Sequence, residues 1–409
     1  MSGADGLAVA SRPTPSPAAV IQEAHTPLPP IRIALLIDRL NYGGAERQFV
    51  VLAKALQQHG HSVVAIVFYA DGPLEADLRG SGVTTRVLDK RGRWDLVGFA
   101  FRLARVLRQE QSQVLLCYSG VPNILAVMLK PLFPGVKIVW GVRASNMQLH
   151  RYGRLPQIVG RLASVLSRYP DLVIANSFAG RADVVANGYP RRKIVVIPNG
   201  IDTDRFVPCA ESRARLRRQW GVSTGEKVIG LVGRLDPMKD HQTFLKVAAI
   251  LARARGDVRF VCVGDGPAVY RQELQEVGTQ LGLDGRLSWI PSQAQMTDVY
   301  NGLDVLCSSS SHGEGFPNVL GEAMACGIPC VVTAVGDSAR ILGQPRFTVH
   351  AGDAHALAER LNALLNSPPD EIAQLAAAGR QRIVREFSIA HLVRATERAL
   401  ASLLPGSAR

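Results

Sequence analysis

Directly after the strand-like run DVLCS (304–308), the chain reads Ser311-His312-Gly313-Glu314-Gly315-Phe316-Pro317-Asn318-Val319-Leu320-Gly321-Glu322-Ala323-Met324-Ala325-Cys326-Gly327. Glycines on both sides of Glu314 loosen the backbone, and Pro317 suits the first turn of a helix. Glu322 then falls on the first or second turn, four residues after Asn318. One carboxylate is expected on a loop and another just inside a helix, whose starting amides can meet a phosphate. A helix that only packs into a core needs neither the two acids nor the glycines.

A second segment, Gly233-Arg234-Leu235-Asp236-Pro237-Met238-Lys239-Asp240, closes the run VIGLVG (228–233). In open α/β sheets, ligands bind outside the carboxyl ends of the strands. Arg234 and Lys239 there suit a diphosphate, Arg through its planar fork and Lys as a point charge. Taken alone, the two read more simply as solvated surface cations. A third segment, Asn41-Tyr42-Gly43-Gly44-Ala45-Glu46, follows the first strand-like run. Its glycines would let N–H groups approach an anion at a helix start, and a plain tight turn accounts for them equally well. The dinucleotide fingerprint G-x-G-x-x-G is missing: Gly264-Asp265-Gly266-Pro267 begins like it, but the third glycine position holds Val269. That weakens a dehydrogenase reading.

The elements that must position these residues repeat a simple alternation. Short β-branched runs at 31–37, 62–68, 83–88, 114–118, 137–140, 172–176 and 193–198 alternate with helix-length amphipathic stretches. The pattern restarts at 228–233, 259–264, 287–290, 304–308 and 329–333, and turns helical beyond about Asp353. Alternation of this kind predicts parallel sheets covered on both faces, hence an α/β chain of two Rossmann-like domains. The expected division is a flexible tail (1–30), a first domain (31–203), a second (204–385) and a C-terminal helix (386–409) crossing back to the first domain.

With 409 residues, 47% hydrophobic and 20% charged, the composition supports two sizeable cores and excludes a disordered chain or a fibre. The formal charge is +13, and residues 31–200 alone carry 23 basic against 10 acidic side chains. Such a surplus attracts anionic partners. No aromatic-rich strand or nucleic-acid motif accompanies it, so nucleic acid is not the expected partner. No apolar run reaches spanning length, and Met1 to Pro30 lacks the basic and apolar regions of a signal peptide. The six cysteines, Cys117, Cys209, Cys262, Cys307, Cys326 and Cys330, form no CxxC pair and read as small hydrophobes of a reducing cytosol.

Over roughly residues 31 to 405 the chain resembles a retaining glycosyltransferase of the family 4 type, with the two-domain fold called GT-B. The resemblance rests on Gly43-Gly44-Ala45-Glu46, Pro198-Asn199-Gly200-Ile201-Asp202, Gly233-Arg234 with Lys239-Asp240, Val263-Gly264-Asp265-Gly266-Pro267, and the E-x7-E spacing of Glu314 and Glu322. It implies that Arg234 and Lys239 grip a donor diphosphate, Glu322 bonds the ribose hydroxyls, and Glu314 lies against the donor sugar. Amides around Phe316 to Val319 would hold the phosphates and sugar. Gly43, Gly44, Gly264, Gly266, Gly315, Phe316, Pro317, Asn318 and Val319 would complete the donor site, with Arg143, Asn146 and Asn199 on the acceptor or donor-sugar side. Many relatives carry a His after the fifth strand. Here Trp140-Gly141-Val142-Arg143-Ala144-Ser145-Asn146 has Arg143 at roughly that place, and an Arg stays protonated and cannot be a general base.

The activity so implied is hexosyl transfer from a nucleotide-diphosphate sugar to a glycan or lipid-linked glycan, with retention, in cell-surface polysaccharide assembly. No cofactor and no metal are expected: Asp202-Thr203-Asp204 falls in the interdomain link rather than at a donor site, and Arg234, Lys239 and a helix start can meet the leaving charge instead. A non-catalytic nucleotide-sugar-binding subunit and a same-fold epimerase or hydrolase are the alternatives. Finally, Lys90 to Arg108 mixes cations with apolar residues at helical spacing. Leu96, Phe99, Leu103, Val106 and Leu107 can share one face, and Arg102, Arg105 and Arg108 are expected to form a basic surface. A cytoplasmic enzyme in peripheral contact with an anionic leaflet follows as the expectation.

Overall fold

The computed structural model describes residues 29–92, 94–118, 120–145 and 154–404. The first domain is a seven-stranded parallel sheet of β1 (Arg32–Ile37), β2 (Ser62–Val67), β3 (Thr84–Val87), β4 (Val114–Tyr118), β5 (Lys137–Val142), β6 (Leu172–Ala175) and β7 (Ile194–Val196), in the order β3-β2-β1-β4-β5-β6-β7. Its helices are α1 (Gly44–Gln58), α2 (Leu96–Gln109), α3 (Gly120–Met128), α4 (Arg154–Leu166) and α5 (Phe178–Ala186). The strands are apolar almost throughout because helices cover both faces. Alternate residues of one strand serve two cores: Ile33, Leu35 and Ile37 join α1, whereas Ala34 and Leu36 join α2 to α5.

The chain then repeats the design. After α6 (Ala210–Gln219) come β8 (Lys227–Val232), α7 (His241–Ala254), β9 (Val258–Val263), α8 (Ala268–Gln280), β10 (Leu287–Ile290), α9 (Met296–Gly302), β11 (Val305–Ser308), α10 (Asn318–Ala325), β12 (Cys330–Thr333), α11 (Ser338–Leu342) and β13 (Thr348–Val349). The sheet order is β10-β9-β8-β11-β12-β13, again parallel. β13, with only two residues, gives no sequence signal. Three helices follow: α12 (Ala354–Leu365), α13 (Pro369–Glu386) and α14 (Ile389–Ala401).

α14 packs Leu392, Val393, Leu400 and Ala401 into the α1 core of the first domain. Glu397 on it accepts from His59 Nδ1 at 2.9 Å and His61 Nε2 at 3.0 Å, which fastens the helix there. The two chain crossings between domains run side by side: Ile201 N–H donates to Phe387 at 2.7 Å, Ile389 N–H to Ile201 at 3.2 Å, and Gln48 brackets Gly200 with bonds of 2.8 and 3.0 Å. In both sheets β1 and β8 lie beside a switch in strand order, so their carboxyl ends open onto a crevice. The two crevices face each other.

Candidate functional site

On the second domain, the segment after β8 makes a one-turn 3-10 helix, Pro237–Lys239. Asp236 caps it by accepting from the Met238 amide at 3.0 Å, and Asp240, in the left-handed region at φ 50°, caps α7 through the Thr243 amide at 3.1 Å. The turn aims the Lys239 ammonium at Glu314, to which it is ion-paired with both side chains largely buried. Arg234 instead stays 65% exposed, its guanidinium 3.6 Å from Asp236 and open to the crevice. His241 at the start of α7 is fully buried with both ring nitrogens unpartnered, and burial drags its pKa down to about 4, so it adds no charge beside Lys239.

Gly264 and Gly266, expected to contact the donor, sit at a close approach of two loops. A Cβ on Gly264 would lie 2.0 Å from the Gly233 carbonyl oxygen, and one on Gly266 would lie 2.5 Å from that of Leu235. The pair lets the loop after β9 lie directly on the loop that carries Arg234 and Lys239.

The segment after β11 holds the two acids. Glu314 is 6% exposed, and its carboxylate accepts from Ser310 Oγ at 2.9 Å as well as from Lys239. Phe316 is buried and packs on Phe387, ring centroids 5.4 Å apart, which anchors the loop at the domain crossing. Helix α10 begins at Asn318, so Pro317 takes the cap position rather than the expected first turn. Glu322 lies inside the helix and accepts from the Tyr300 hydroxyl at 2.5 Å. Burial holds its carboxyl above the ordinary carboxylate range, partly offset by the Tyr300 hydrogen bond and by Arg47 and Arg205. Tyr300 is itself pushed well up by burial and by the Glu322 charge.

The first domain supplies the opposite wall. Gly43 caps α1, and a Cβ there would meet the curled-back Glu46 carboxylate at 2.1 Å. Burial raises the Glu46 pKa; its own backbone bond lowers it, Asp38 raises it, and Arg234 from across the crevice lowers it. Asn318 Nδ2 donates to the Gly44 carbonyl at 3.3 Å, while Asn199 Nδ2 donates to Asn318 Oδ1 at 2.8 Å. Asn199 Oδ1 is left buried without a partner.

Arg143, expected on the acceptor or donor-sugar side, is half-buried. Its guanidinium lies over the Tyr118 ring, 3.8 Å from the centroid, in space that the missing Cβ of Gly141 leaves free. Burial lowers its pKa, and its Nε has no partner. Asn146 lies outside the described residues. Beside Arg143, Ser145 Oγ donates to the Glu314 carbonyl, and a Cβ on Gly315 would lie 2.6 Å from the unpartnered Oδ1 of Asn176. Neither Ser145, Asn176 nor Tyr300 could have been singled out from spacing, because each meets the two acids only through tertiary packing. The arrangement presents cations, a buried carboxylate and a half-satisfied polar wall around one crevice.

Residues 42–205 match the model described as Glycosyltransferase Family 4, and residues 226–367 match that of Glycosyl transferases group 1. Between them the two models cover about three quarters of the chain, and both halves of the site lie within them. The chain belongs to the family 4 glycosyltransferases. It is 31% identical over 210 residues to the 2-deoxystreptamine glucosyltransferase of Streptomyces kanamyceticus, covering 50% of this chain and 53% of that one. It is 28% identical to the GDP-mannose-dependent alpha-(1-6)-phosphatidylinositol monomannoside mannosyltransferase of Mycolicibacterium smegmatis, covering 60% and 63%. The chain spans about half the length of the curated relatives it matches. The Anabaena protein HepE in complex with UDP-glucose has the same fold, with a TM-score of 0.79 at 22% identity, covering 90% of this chain and 99% of that one. So has the lipopolysaccharide outer core galactosyltransferase WaaB, at 0.65 and 17%, covering 91% and 99%. The family 4 fold is therefore the GT-B arrangement of two facing α/β domains.

Proposed function

We propose that this chain transfers a hexose from a nucleotide-diphosphate sugar to a hydroxyl of a glycan or lipid-linked glycan, with retention and without a metal ion, in cell-surface polysaccharide assembly. The observation that carries this reading is the Lys239–Glu314 ion pair set beside the open guanidinium of Arg234 in one crevice. When the bond to the diphosphate breaks, negative charge grows on the departing oxygen, and fixed cations in a water-poor crevice stabilise it strongly. Lys239 can serve that charge and Glu314 together. Glu322 accepts from the ribose hydroxyls, and Glu314 orients the sugar. Covalent retention needs a second carboxyl about 5 Å from the nucleophile. The groups bonded to the Glu314 carboxylate are instead an ammonium and a hydroxyl. In our reading the acceptor hydroxyl attacks from the leaving-group side, its proton passing to the departing phosphate oxygen as the glycosidic bond forms.

The reading extends to peripheral attachment at the cytoplasmic face of a membrane. No described helix is long and apolar enough to cross one. Phe99, Leu103 and Leu107 pack α2 on the sheet, but Leu96 stays exposed and Arg102 turns inward to Leu88 O and Asp95, so neither belongs where the sequence put it. Trp94 (85% exposed) lies in the turn just before α2, and the outward face of α2 carries Val97 and Phe101 (70%), then Arg105 and Arg108. Apolar side chains flanked by arginines match an anionic lipid surface and a lipid-linked acceptor.

The deciding experiment titrates nucleoside diphosphates and their sugars by thermal shift, then follows transfer of a labelled sugar in EDTA. Glu322→Ala should weaken donor binding, whereas Glu314→Ala should chiefly lower turnover, because a ribose contact is uniform binding and a sugar contact strengthens in the transition state. Equal loss of donor affinity in both variants, or activity abolished by EDTA and restored by Mg²⁺, would overturn the assignment.

A further inference from the structure

We propose that Asp337 is a positioning residue that couples closure of the two domains to the placement of Glu314. Asp337 occupies the cap position of α11, yet its side chain makes no bond to that helix. An Asp at this position ordinarily accepts from the first amides of its own helix. Here the carboxylate reaches across to the first domain, where Oδ2 accepts from the Phe178 amide at 2.8 Å and Oδ1 from the Ala179 amide at 2.9 Å. Those are the first two amides of α5, and the third, Gly180, is taken by Ser177 at 2.9 Å. The start of α5 is thus fully capped only when the opposite domain is in place. Its positive dipole end meets a carboxylate that is 6% exposed.

The same residue holds the site from its other side. The Asp337 amide donates to the Gly315 carbonyl at 2.9 Å, and Gly336, at φ 59°, lies so close that a Cβ would fall 2.5 Å from the Glu314 carbonyl oxygen. Ser145 of the first domain bonds that same Glu314 oxygen. Arg340, one turn along α11, stacks on the Phe178 ring at 3.8 Å. The backbone of Glu314 and Gly315 is therefore gripped between Ser145 and Asp337: the Asp337 amide holds it from within the second domain, and the Ser145 bond crosses from the first domain and exists only in the closed arrangement. Opening the crevice removes the Ser145 bond to the loop that carries Glu314 and parts the Asp337 carboxylate from α5, leaving the loop held by the Asp337 amide alone. Arg234, Lys239 and Glu322 all lie on the second domain, so the donor diphosphate can bind while the latch is open.

This inference rests on the transferase reading only for its kinetic consequence, and its structural half is testable without activity. In the full chain with UDP as probe, hydrogen exchange at the Phe178 and Ala179 amides should quicken in Asp337→Ala, and in Asp337→Asn at one of the two. Transfer should show kcat reduced about tenfold in Asp337→Ala, the factor carried by one charge-assisted hydrogen bond. UDP affinity should change less than about twofold, because the diphosphate contacts are untouched. Ser145→Ala, which leaves α5 capped, should lower kcat without altering exchange at Phe178 or Ala179. Unchanged exchange at both amides in Asp337→Ala overturns the latch, as does a loss of UDP affinity equal to the loss of kcat. Absence of transfer by the unaltered chain with every donor would instead defeat the proposed function and leave the latch to the exchange result.

Discussion

Lys239 and Glu314 form one buried pair, and its removal by halves gives a measurable asymmetry. At a hydrogen-bonded separation of about 3 Å and an effective dielectric constant of about 20, their attraction is roughly 5 kcal/mol. Desolvation of two largely buried charges takes back about half, leaving a net coupling of about 2–3 kcal/mol. Lys239→Met strands the Glu314 carboxylate with Ser310 as its one remaining side-chain donor among the described residues, and should destabilise the second domain by about 3 kcal/mol. Glu314→Gln keeps the shape and leaves an ammonium able to turn outward, and should cost about 1 kcal/mol. The double variant should recover most of the Lys239→Met loss, since neither charge is then buried alone. Urea denaturation of the four proteins closes the cycle. Additive losses, with a coupling under about 0.5 kcal/mol, would refute the claim that the pair is buried and mutually dependent. UDP titration of the same proteins separates the two uses of Lys239: Glu314→Gln should bind UDP as well as the unaltered chain or better, because the ammonium is released from its partner.

Other outcomes follow from the same geometry. Tyr300→Phe removes the hydroxyl that lowers the Glu322 pKa, so that carboxyl should rise further above its ordinary range. The native state then holds a proton that the unfolded chain has released, so the stability from this group is greatest at low pH and fades as pH rises through the folded pKa. If Glu322 accepts from the ribose as proposed, UDP binding uses the ionised form and should fail on acidification at a higher pH in Tyr300→Phe than in the unaltered chain; an unmoved or lowered limb in the titration contradicts the role of Tyr300. Vesicles rich in acidic lipid should sediment the chain at low salt and release it at high salt. Arg105→Gln with Arg108→Gln, or Trp94 and Phe101 to Ser, should weaken that binding, whereas Arg102→Gln should act through stability instead. Binding indifferent to lipid charge would point to a soluble acceptor.

Local pattern and the order of motifs determined a great deal. Apolar runs of four to seven residues placed twelve of the strands, because a strand covered on both faces must be apolar throughout. The E-x7-E spacing put Glu314 on a loop and Glu322 inside a helix, because eight residues and a Pro fix where the helix can start. What lay beyond the sequence was every relation across the crevice. Nothing in the spacing says that Gly264 and Gly266 lie close against the backbone of Gly233 and Leu235, or that Arg143 folds over Tyr118. The amphipathic period of Lys90 to Arg108 did not reveal that Arg102 turns in to Leu88 and Asp95, since a long side chain chooses its partner by what the fold brings within reach. Asp337 makes the point most sharply. Its sequence position marks a helix cap, and it caps a helix 159 residues away in the other domain. Hydrogen-bond geometry, satisfied only when the two sheets face each other, decides that choice.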